Sequence, residues 1–289
     1  MNFLTQDHLG YYRGGMPVIQ YYNEKIKDRR EKYPFTINEK YVPMVEEMNQ
    51  NGFCIMKDFF EKETLLRLLA ETEELFRSKS DKTRQVQNGN HTIVTEPFLN
   101  TRTAHEIAFD QRLIDIATIF FNCVPGIGTF NLRLSEPTQN PLQGTNMFHR
   151  DFNSPVKLMK FFFYLTDVGP ENGPFTYVQG SNREVPPNWS RYHRWPDEKI
   201  EEIYGADRVK NLTANFGDVI MATTNGFHKG LKIEQGRRIM FTINYLIHPE
   251  MEGARVESAR PRFGIWTDDF NKLPESKKPV ADFLIKKER

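Results

Sequence analysis

The amino-acid sequence predicts an α+β, mainly β protein: a jelly-roll (double-stranded β-helix) barrel supported by N-terminal helices. Two observations lead to this fold class. Before residue 122 the longest apolar patterns have helical spacing, as in residues 62–78, where leucines recur on one side. From Gly126 onward, short β-rich runs alternate with Gly, Pro and Asn turns, a pattern typical of an antiparallel double-sheet barrel.

The N-terminal part of the chain is predicted to be mostly helical. Residues 1–40 form an arm with one helix around residues 18–32, and an amphipathic helix at 41–48 ends at Asn51-Gly52. The remaining predictions for this part are a strand at 53–60, helices at 62–78 and 104–121, and a polar, turn-rich stretch at 79–100.

The barrel core is predicted over residues 126–250. Its candidate strands are residues 129–134, 146–151, 156–167, 173–179, 218–224 and 238–246. An insertion at residues 185–210, which contains Trp189, His193 and Trp195, is long enough to be a lid near a site. No linker separates the two halves, so we expect residues 1–289 to form a single domain.

Composition excludes several classes of function. The chain has 289 residues and a net charge of +1, so no global field favours nucleic acid or an anionic membrane as a partner. The two cysteines, Cys54 and Cys123, lie in apolar contexts without CxxC spacing, which indicates buried free thiols rather than a zinc site. With no apparent signal peptide or membrane span, we expect a cytoplasmic protein.

The segment His149-Arg150-Asp151 is the strongest candidate for chemistry. On a strand, residues two apart share a face, so His149 and Asp151 project together and Arg150 points away. His228 follows on what reads as a neighbouring strand. Two imidazoles and one carboxylate are the ligand set of a non-heme Fe(II) centre with open coordination positions.

His-Arg-Asp also begins the catalytic loop of protein kinases, but that interpretation fails. The kinase loop requires Asn five positions after the Asp, where this chain has Val156, and no accompanying kinase motif is found. The remaining histidines considered (His91, His105, His193 and His248) have no partner at ligand spacing and are interpreted as structural or surface residues.

A cation downstream of His228 could bind an acidic co-substrate, and alternation decides between Arg237 and Arg238. One face of the strand carries Arg238, Met240, Thr242 and Asn244, and the other carries Arg237, Ile239, Phe241, Ile243 and Tyr245. The first face is more polar and suits a barrel interior, whereas the second would pack under the helices. Because a guanidinium can bind a carboxylate through two parallel hydrogen bonds, we favour Arg238.

These motifs, taken in order, resemble the phytanoyl-CoA dioxygenase-like (PhyH-type) family of Fe(II)/2-oxoglutarate-dependent oxygenases. The matching segments run from Asn51-Gly52-Phe53 through His149-Arg150-Asp151, Tyr164-Leu165-Thr166-Asp167, Glu171-Asn172-Gly173-Pro174 and Gly217-Asp218-Val219 to His228-Lys229-Gly230 and Gly236-Arg237-Arg238. The resemblance implies a cupin-like fold, iron ligation by His149, Asp151 and His228, and binding of the distal carboxylate of 2-oxoglutarate by Arg238. Asn131, on the strand before the His-x-Asp strand, is a further candidate for contacting 2-oxoglutarate.

The chain departs from the family pattern in two places. Gln179-Gly180-Ser181-Asn182 stands where members often have Pro-Gly-Ser-His, and Gly230 stands where some have a hydroxyl residue. These departures concern how the co-substrate is held beyond Arg238 and leave the metal ligands unchanged.

The functional hypothesis is a dioxygenase that uses Fe(II), 2-oxoglutarate and O₂ to hydroxylate a small molecule, with release of succinate and CO₂. One alternative is a non-catalytic jelly-roll protein that binds a ligand in the same cavity. Another is a different cupin-like metalloenzyme, such as an isomerase or a zinc hydrolase. The sequence identifies neither the substrate nor the oligomeric state.

Overall fold

Most of the α-helices in the described part of the chain precede residue 122. The computed structural model describes residues 18–78, 81–86, 91–140, 144–151, 157–186, 194–248 and 263–289. Its α-helices are α1 (Val18–Lys32), α2 (Val42–Asn51), α3 (Lys62–Ser78), α4 (Pro97–Asn100), α5 (Arg102–Ala108), α6 (Gln111–Phe121), α7 (Asp197–Tyr204) and α8 (Thr267–Lys272). In the described residues, no helix combines the length and apolar character that crossing a membrane requires.

The strands form two sheets that face each other, with a small additional pair. They are β1 (Phe53–Met56), β2 (Thr83–Val86), β3 (His91–Val94), β4 (Gly126–Ser135), β5 (Met159–Tyr164), β6 (Phe175–Val178), β7 (Val209–Leu212), β8 (Val219–Ala222), β9 (His228–Gly230), β10 (Arg238–Leu246), β11 (Gly264–Trp266) and β12 (Ile285–Lys287). The large sheet has the antiparallel order β1-β8-β5-β10-β4-β3-β2, and the small sheet has the order β7-β6-β9. The predicted jelly-roll class is confirmed.

The two faces of the large sheet have different neighbours, as alternation along β10 predicts. Phe241 and Ile243 belong to the main apolar core, together with residues of the N-terminal helices such as Leu65 and Leu113. Met240 belongs to a second cluster, which includes Phe175 and Tyr177 of the small sheet. The polar face of β10 is therefore turned toward the space between the two sheets, where a ligand could be held.

Several predicted elements have the expected bounds. The helices predicted at residues 18–32 and 62–78 and the strand at 238–246 are confirmed as α1, α3 and β10. Cys54 and Cys123 are buried free thiols, also as predicted. The first part of the N-terminal arm, residues 1–17, lies outside the described residues.

The helix predicted at residues 104–121 was wrong as one continuous element. It is divided into α5 and α6, because Asp110 has extended backbone angles and its carboxylate accepts a hydrogen bond from the backbone N–H of Arg112 at 2.8 Å. An aspartate in that position caps the start of a new helix. Apolar periodicity continues through the break and hides it.

Among the described residues, the predicted strands at 156–167, 173–179 and 218–224 are shorter than expected, as β5, β6 and β8, and two others differ more strongly. The strand at 53–60 ends at Met56, because Asp58 adopts a positive φ of 47° and begins a turn. The segment 146–151 does not form a regular strand, since residues 144–146 form a 3₁₀ turn. Phe148 and His149 make only isolated bridges, to Trp195 and His228 respectively.

The stretch at residues 79–100, predicted to be polar and turn-rich, instead contributes β2 and β3 to the edge of the large sheet. The second half of the predicted insertion contains α7, which packs Ile200 and Tyr204 against Phe148 and Phe227. Trp195 also packs on this cluster, which attaches the insertion to the small sheet. Residues 187–193, including Trp189 and His193, lie outside the described residues.

Candidate active site

His149, Asp151 and His228 meet at one end of the space between the sheets. His149 and His228 form an antiparallel bridge, in which each backbone N–H donates to the other residue's carbonyl at 3.0 Å. The backbone N–H of Asp151 donates to the carbonyl of Thr224 at 2.9 Å. These backbone hydrogen bonds therefore bring His149 and Asp151 next to His228, which follows more than seventy residues later in the chain.

The side-chain atoms of this triad have the spacing of a metal site. Nε2 of His149 lies 3.7 Å from Oδ1 of Asp151, and Nε2 of His228 lies 3.6 Å from Oδ2 of the same carboxylate. One ligand atom from each residue can be chosen so that all lie within 4.8 Å of one another. Three such atoms around a common point can bind one divalent cation and leave the opposite positions open.

Hydrogen bonds orient both imidazoles for metal binding. Nδ1 of His149 lies 2.9 Å from the carbonyl of Met147, and Nδ1 of His228 lies 2.9 Å from the carbonyl of Gly226. A carbonyl can only accept, so each Nδ1 carries the proton and each Nε2 lone pair faces the carboxylate. Burial lowers the pKa of both residues, that of His228 to about 3, and both are neutral at physiological pH, as metal ligation requires.

Asp151 is kept ionised by its surroundings. Burial alone would raise its pKa, but the ammonium group of Lys160, together with the neighbouring imidazoles of His228 and His149, outweighs that effect, and the pKa of Asp151 is lowered. Nζ of Lys160 donates to Oδ2 of Asp151 at 2.6 Å. The carboxylate therefore retains Oδ1 for a metal ion while its other oxygen remains hydrogen-bonded.

A cavity extends from the triad across the inner face of the large sheet. Its lining comprises His91, Asn131, Arg133, Thr145, Asn146, His149, Asp151, Lys160, Phe162, Phe175, His228, Lys229, Gly230, Arg238, Met240 and Thr242. A second and larger cavity, of about 500 Å³, lies between α4, α5 and α8 and contains none of the predicted site residues. The cavity at the triad is therefore the candidate active site, because it contains the candidate metal ligands and Arg238 and the larger cavity does not.

Arg238 lies inside the cavity at the triad and Arg237 lies outside it. Arg238 is 3% exposed, and one of its Nη atoms donates to the carbonyl of Gly173. Its Nε is buried and has no hydrogen-bond partner in the described part of the chain. Arg237 is half exposed and pairs with Glu73. The preference for Arg238 over Arg237 thus agrees with their placement.

Gly230 leaves room for the Arg238 guanidinium. A side-chain carbon built at Gly230 would lie 3.6 Å from an Nη atom of Arg238, in ordinary van der Waals contact. The chain thus lacks the hydroxyl that some family members carry at this position, although a first side-chain carbon would fit beside the arginine. The amide of Asn146 donates to the carbonyl of Gly230 at 3.0 Å, and its own Oδ1 is buried without a partner among the described residues.

The predicted residue Asn131 also lines the cavity, opposite Thr242 in the pairing of β4 with β10. Sequence reasoning missed Arg133, Lys160 and His91, all of which line the same cavity. Alternation along β4 places Arg133 on the face of Asn131, and this signal could have found it. His91 was interpreted as structural, although it faces the cavity from β3.

Comparison with known proteins gives one family. The model of the phytanoyl-CoA dioxygenase (PhyH) family matches residues 48–234 of this chain. None of the curated proteins compared with the chain matches it.

Solved structures with the same fold are distant in sequence. The structure of EctD from S. alaskensis with bound Fe has a TM-score of 0.62 and 18% identity, and covers 89% of this chain and 91% of its own. The epimerase SnoN from nogalamycin biosynthesis has a TM-score of 0.60 and 16% identity, with 72% and 83% covered. HygX from Streptomyces hygroscopicus, solved with nickel, 2-oxoglutarate and hygromycin B, has a TM-score of 0.53 and 18% identity, with 73% and 90% covered. These similarities establish the fold.

Proposed function

This chain belongs to the phytanoyl-CoA dioxygenase (PhyH) family, and on that premise we propose that it is an Fe(II)/2-oxoglutarate-dependent dioxygenase that hydroxylates a small molecule. The observation that carries the proposal is the cavity that two neutral imidazoles and one ionised carboxylate share with a buried arginine. EctD with bound Fe and HygX with 2-oxoglutarate bound have the same fold and support this choice of metal and co-substrate.

The residues of the chain divide the task between them. His149, Asp151 and His228 would hold Fe(II) through Nε2, a carboxylate oxygen and Nε2. Arg238 would bind the distal carboxylate of 2-oxoglutarate through its guanidinium, which offers donors in a planar fork. Asn131, which lines the same cavity, would contact the co-substrate, and the apolar side chains of Phe162, Phe175 and Met240 would exclude water from it.

Iron and 2-oxoglutarate supply the oxidation of the substrate by O₂, and 2-oxoglutarate leaves as succinate and CO₂. The protein contributes orientation and protonation state. Carbonyl hydrogen bonds hold each histidine Nδ1–H, and Lys160 holds the carboxylate oxygen of Asp151. These contacts set the ring planes and the charge of the site before any ligand binds.

We propose hydroxylation as the default outcome. The same fold also serves other reactions, as in the epimerase SnoN. A non-catalytic binding protein would not need two neutral, oriented imidazoles beside an ionised carboxylate. A zinc hydrolase would not need an arginine at the position of Arg238. We further propose that the chain acts as a single domain in the cytoplasm on a small-molecule substrate, with buried thiols that suit a reducing compartment.

Release of succinate tests the proposal. Purified protein incubated with Fe(II), ascorbate, O₂ and 2-oxoglutarate should form succinate at a rate that falls to background without iron. Asp151→Ala should lower this rate at least 100-fold because the anionic ligand is lost. Asp207→Ala, which removes an exposed carboxylate outside the site, is the matched control and should retain the wild-type rate.

Two results would contradict the proposal: no binding of 2-oxoglutarate to the Fe(II)-loaded protein, or unchanged succinate release by Asp151→Ala. Once a substrate is found, hydroxylation requires a product heavier by the mass of one oxygen atom. A product of unchanged mass would indicate isomerisation, and one lighter by two hydrogens would indicate desaturation or ring formation. Either product would contradict hydroxylation without contradicting the use of Fe(II) and 2-oxoglutarate.

A further inference from the structure

The cavity at the triad holds more positive charge than the proposed binding of Fe(II) and 2-oxoglutarate explains. Its described lining includes the cations Arg133, Lys160 and Arg238 and one carboxylate, that of Asp151. Lys229 is a fourth cation of the lining, but it is already paired with Asp197 at 2.5 Å. Lys160 is paired with Asp151, so the two arginines remain without an acidic partner there.

Arg133 lies beside Arg238 on the inner face of the large sheet. In the pairing of β4 with β10, Ser135 is opposite Arg238 and Arg133 is opposite Met240. Arg133 and Arg238 are therefore diagonal neighbours, a relation that places the first side-chain carbons about 7–8 Å apart. Both side chains start from the same face, and an anion bound between them would offset the repulsion of their like charges.

Among the described residues, Arg133 forms no hydrogen bond and no ion pair. The carboxylate of Asp151 acts on it through charge alone. Burial, followed by the charge of Arg238, lowers the pKa of Arg133 to about 10, and at neutral pH it remains charged. A partly buried guanidinium without a partner is costly, so this arrangement is one that a bound anion would stabilise.

His91 adds a neutral polar atom at the same place. It lies on β3, opposite Ser135, and is thus a diagonal neighbour of Arg133 on its other side. Its Nδ1 is hydrogen-bonded to the Ser135 hydroxyl at 2.8 Å, whereas its Nε2 is buried and has no partner among described residues. An anion bound at Arg133 would supply a partner for Nε2 when that nitrogen carries the proton.

2-Oxoglutarate accounts for only one of the two arginines. It has two carboxylates, of which one would bind the metal beside the keto group and the other would bind Arg238. We propose that Arg133, assisted by His91, binds a carboxylate or phosphate group of the primary substrate, an inference that rests on the proposed function. The substrate class would then be small anionic molecules, held by a charged group at Arg133 while another part of the molecule faces the metal.

Anion binding to the co-substrate complex tests this assignment. Wild-type protein is loaded with Ni(II) and saturating 2-oxoglutarate under argon, and inorganic phosphate or acetate is titrated into separate samples and followed by calorimetry. At least one anion should bind, and the stronger of the two indicates whether the substrate group is phosphate or carboxylate. Arg133→Met should weaken that anion at least tenfold, and its affinity for 2-oxoglutarate should stay within twofold of wild type.

The matched control is Arg237→Met, which removes a guanidinium from the opposite side of β10 and should bind the anion as wild type does. Arg133→Gln is measured in parallel, and thermal unfolding of both Arg133 variants shows whether they are folded. The proposal is overturned if neither anion binds the wild-type complex, or if folded Arg133 variants bind the anion normally.

A tenfold loss of 2-oxoglutarate affinity in the Arg133 variants would also overturn it, because Arg133 would then belong to the co-substrate. If wild-type protein bound no 2-oxoglutarate, the proposed function itself would fail. That failure is visible in the loading step, before any anion is added.

Discussion

At the scale of single residues, the candidate site depends on protonation states that burial decides. His149 and His228 are neutral because they are buried, and Asp151 is ionised because cations and imidazoles outweigh its own burial. The proposed role of Arg238 can be tested against a close control. Arg237 is the adjacent residue, but it lies on the other face of β10, where it is half exposed.

We expect Arg238→Met to weaken 2-oxoglutarate binding by roughly 10- to 100-fold, because charge-assisted hydrogen bonds contribute about 1.5–3 kcal/mol. Arg237→Met should change the affinity less than twofold. Titration of 2-oxoglutarate into the Ni(II)-loaded proteins measures both. Equal affinities for the two variants would remove Arg238 from the co-substrate site.

His91 should make folding sensitive to acid. Burial, and then the charges of Arg133 and Arg238, lowers its pKa from 6.5 to about 3. As the pH falls below 6.5, His91 becomes protonated in the unfolded chain but stays neutral in the folded protein. The free energy of unfolding therefore decreases until about pH 3. At pH 5 the loss from this residue is about 2 kcal/mol, since each pKa unit corresponds to about 1.36 kcal/mol.

Urea unfolding at pH 8 and pH 5 checks this effect. His91→Phe should lose about 2 kcal/mol less than wild type between the two pH values, whatever its stability at pH 8. Parallel losses in the two proteins would show that His91 titrates normally in the folded state.

At the scale of secondary-structure elements, caps and short contacts decide where helices begin. α6 begins after Asp110, whose carboxylate accepts from the backbone N–H of Arg112 and also contacts the Arg112 side chain. The cap therefore separates α6 from α5.

Asp110→Ala should lower the free energy of unfolding by about 1–2 kcal/mol, because a backbone N–H at the start of α6 loses its acceptor. Asp110→Asn keeps an acceptor oxygen and should lose clearly less, although its ion pair with Arg112 is gone. Urea unfolding of the two variants measures the difference. If Asn were as destabilising as Ala, the ion pair rather than the cap would be the stabilising contact.

At the scale of the whole molecule, one close contact joins the helical layer to both sheets. Gly52, at the end of α2, has a φ of +90°, and a side-chain carbon there would lie 2.2 Å from the ring of Tyr177 in β6. The Tyr177 hydroxyl donates to the carbonyl of Thr223, and the N–H of Thr223 donates to the carbonyl of Gly52. These contacts hold the helical end, the small sheet and the end of β8 together.

Gly52→Ala should therefore cost about 3 kcal/mol or more, the sum of left-handed backbone strain and overpacking. Gly217→Ala provides the comparison, because Gly217 also has a positive φ but its nearest neighbour would be 3.9 Å away. It should cost about 1–2 kcal/mol from backbone strain alone. Chemical unfolding of both proteins measures the difference, and equal costs would show that Tyr177 moves aside.

Local patterns explain how much of the fold and site could be predicted. Alternation along β10 separated Arg238 from Arg237 and assigned Phe241 to the core, because the two faces of a strand are set by neighbouring residues. The same logic placed His149 and Asp151 on one side, even though the expected strand at 146–151 is no more than isolated bridges. The break at Asp110 was missed because apolar periodicity continues through it. Strands β2 and β3 were missed because their residues are mostly polar.

The sequence by itself determined the fold class, the candidate metal ligands and the candidate co-substrate arginine, all of which depend on residue type and local spacing. Only the tertiary structure decided that Lys160 pairs with Asp151, and that Arg133 and His91 stand beside Arg238. These relations depend on strand order, in which β10 lies between β4 and β5 although it follows both along the chain. Spacing along a chain carries no information about such pairings, since they are selected by packing and hydrogen bonding of the whole molecule.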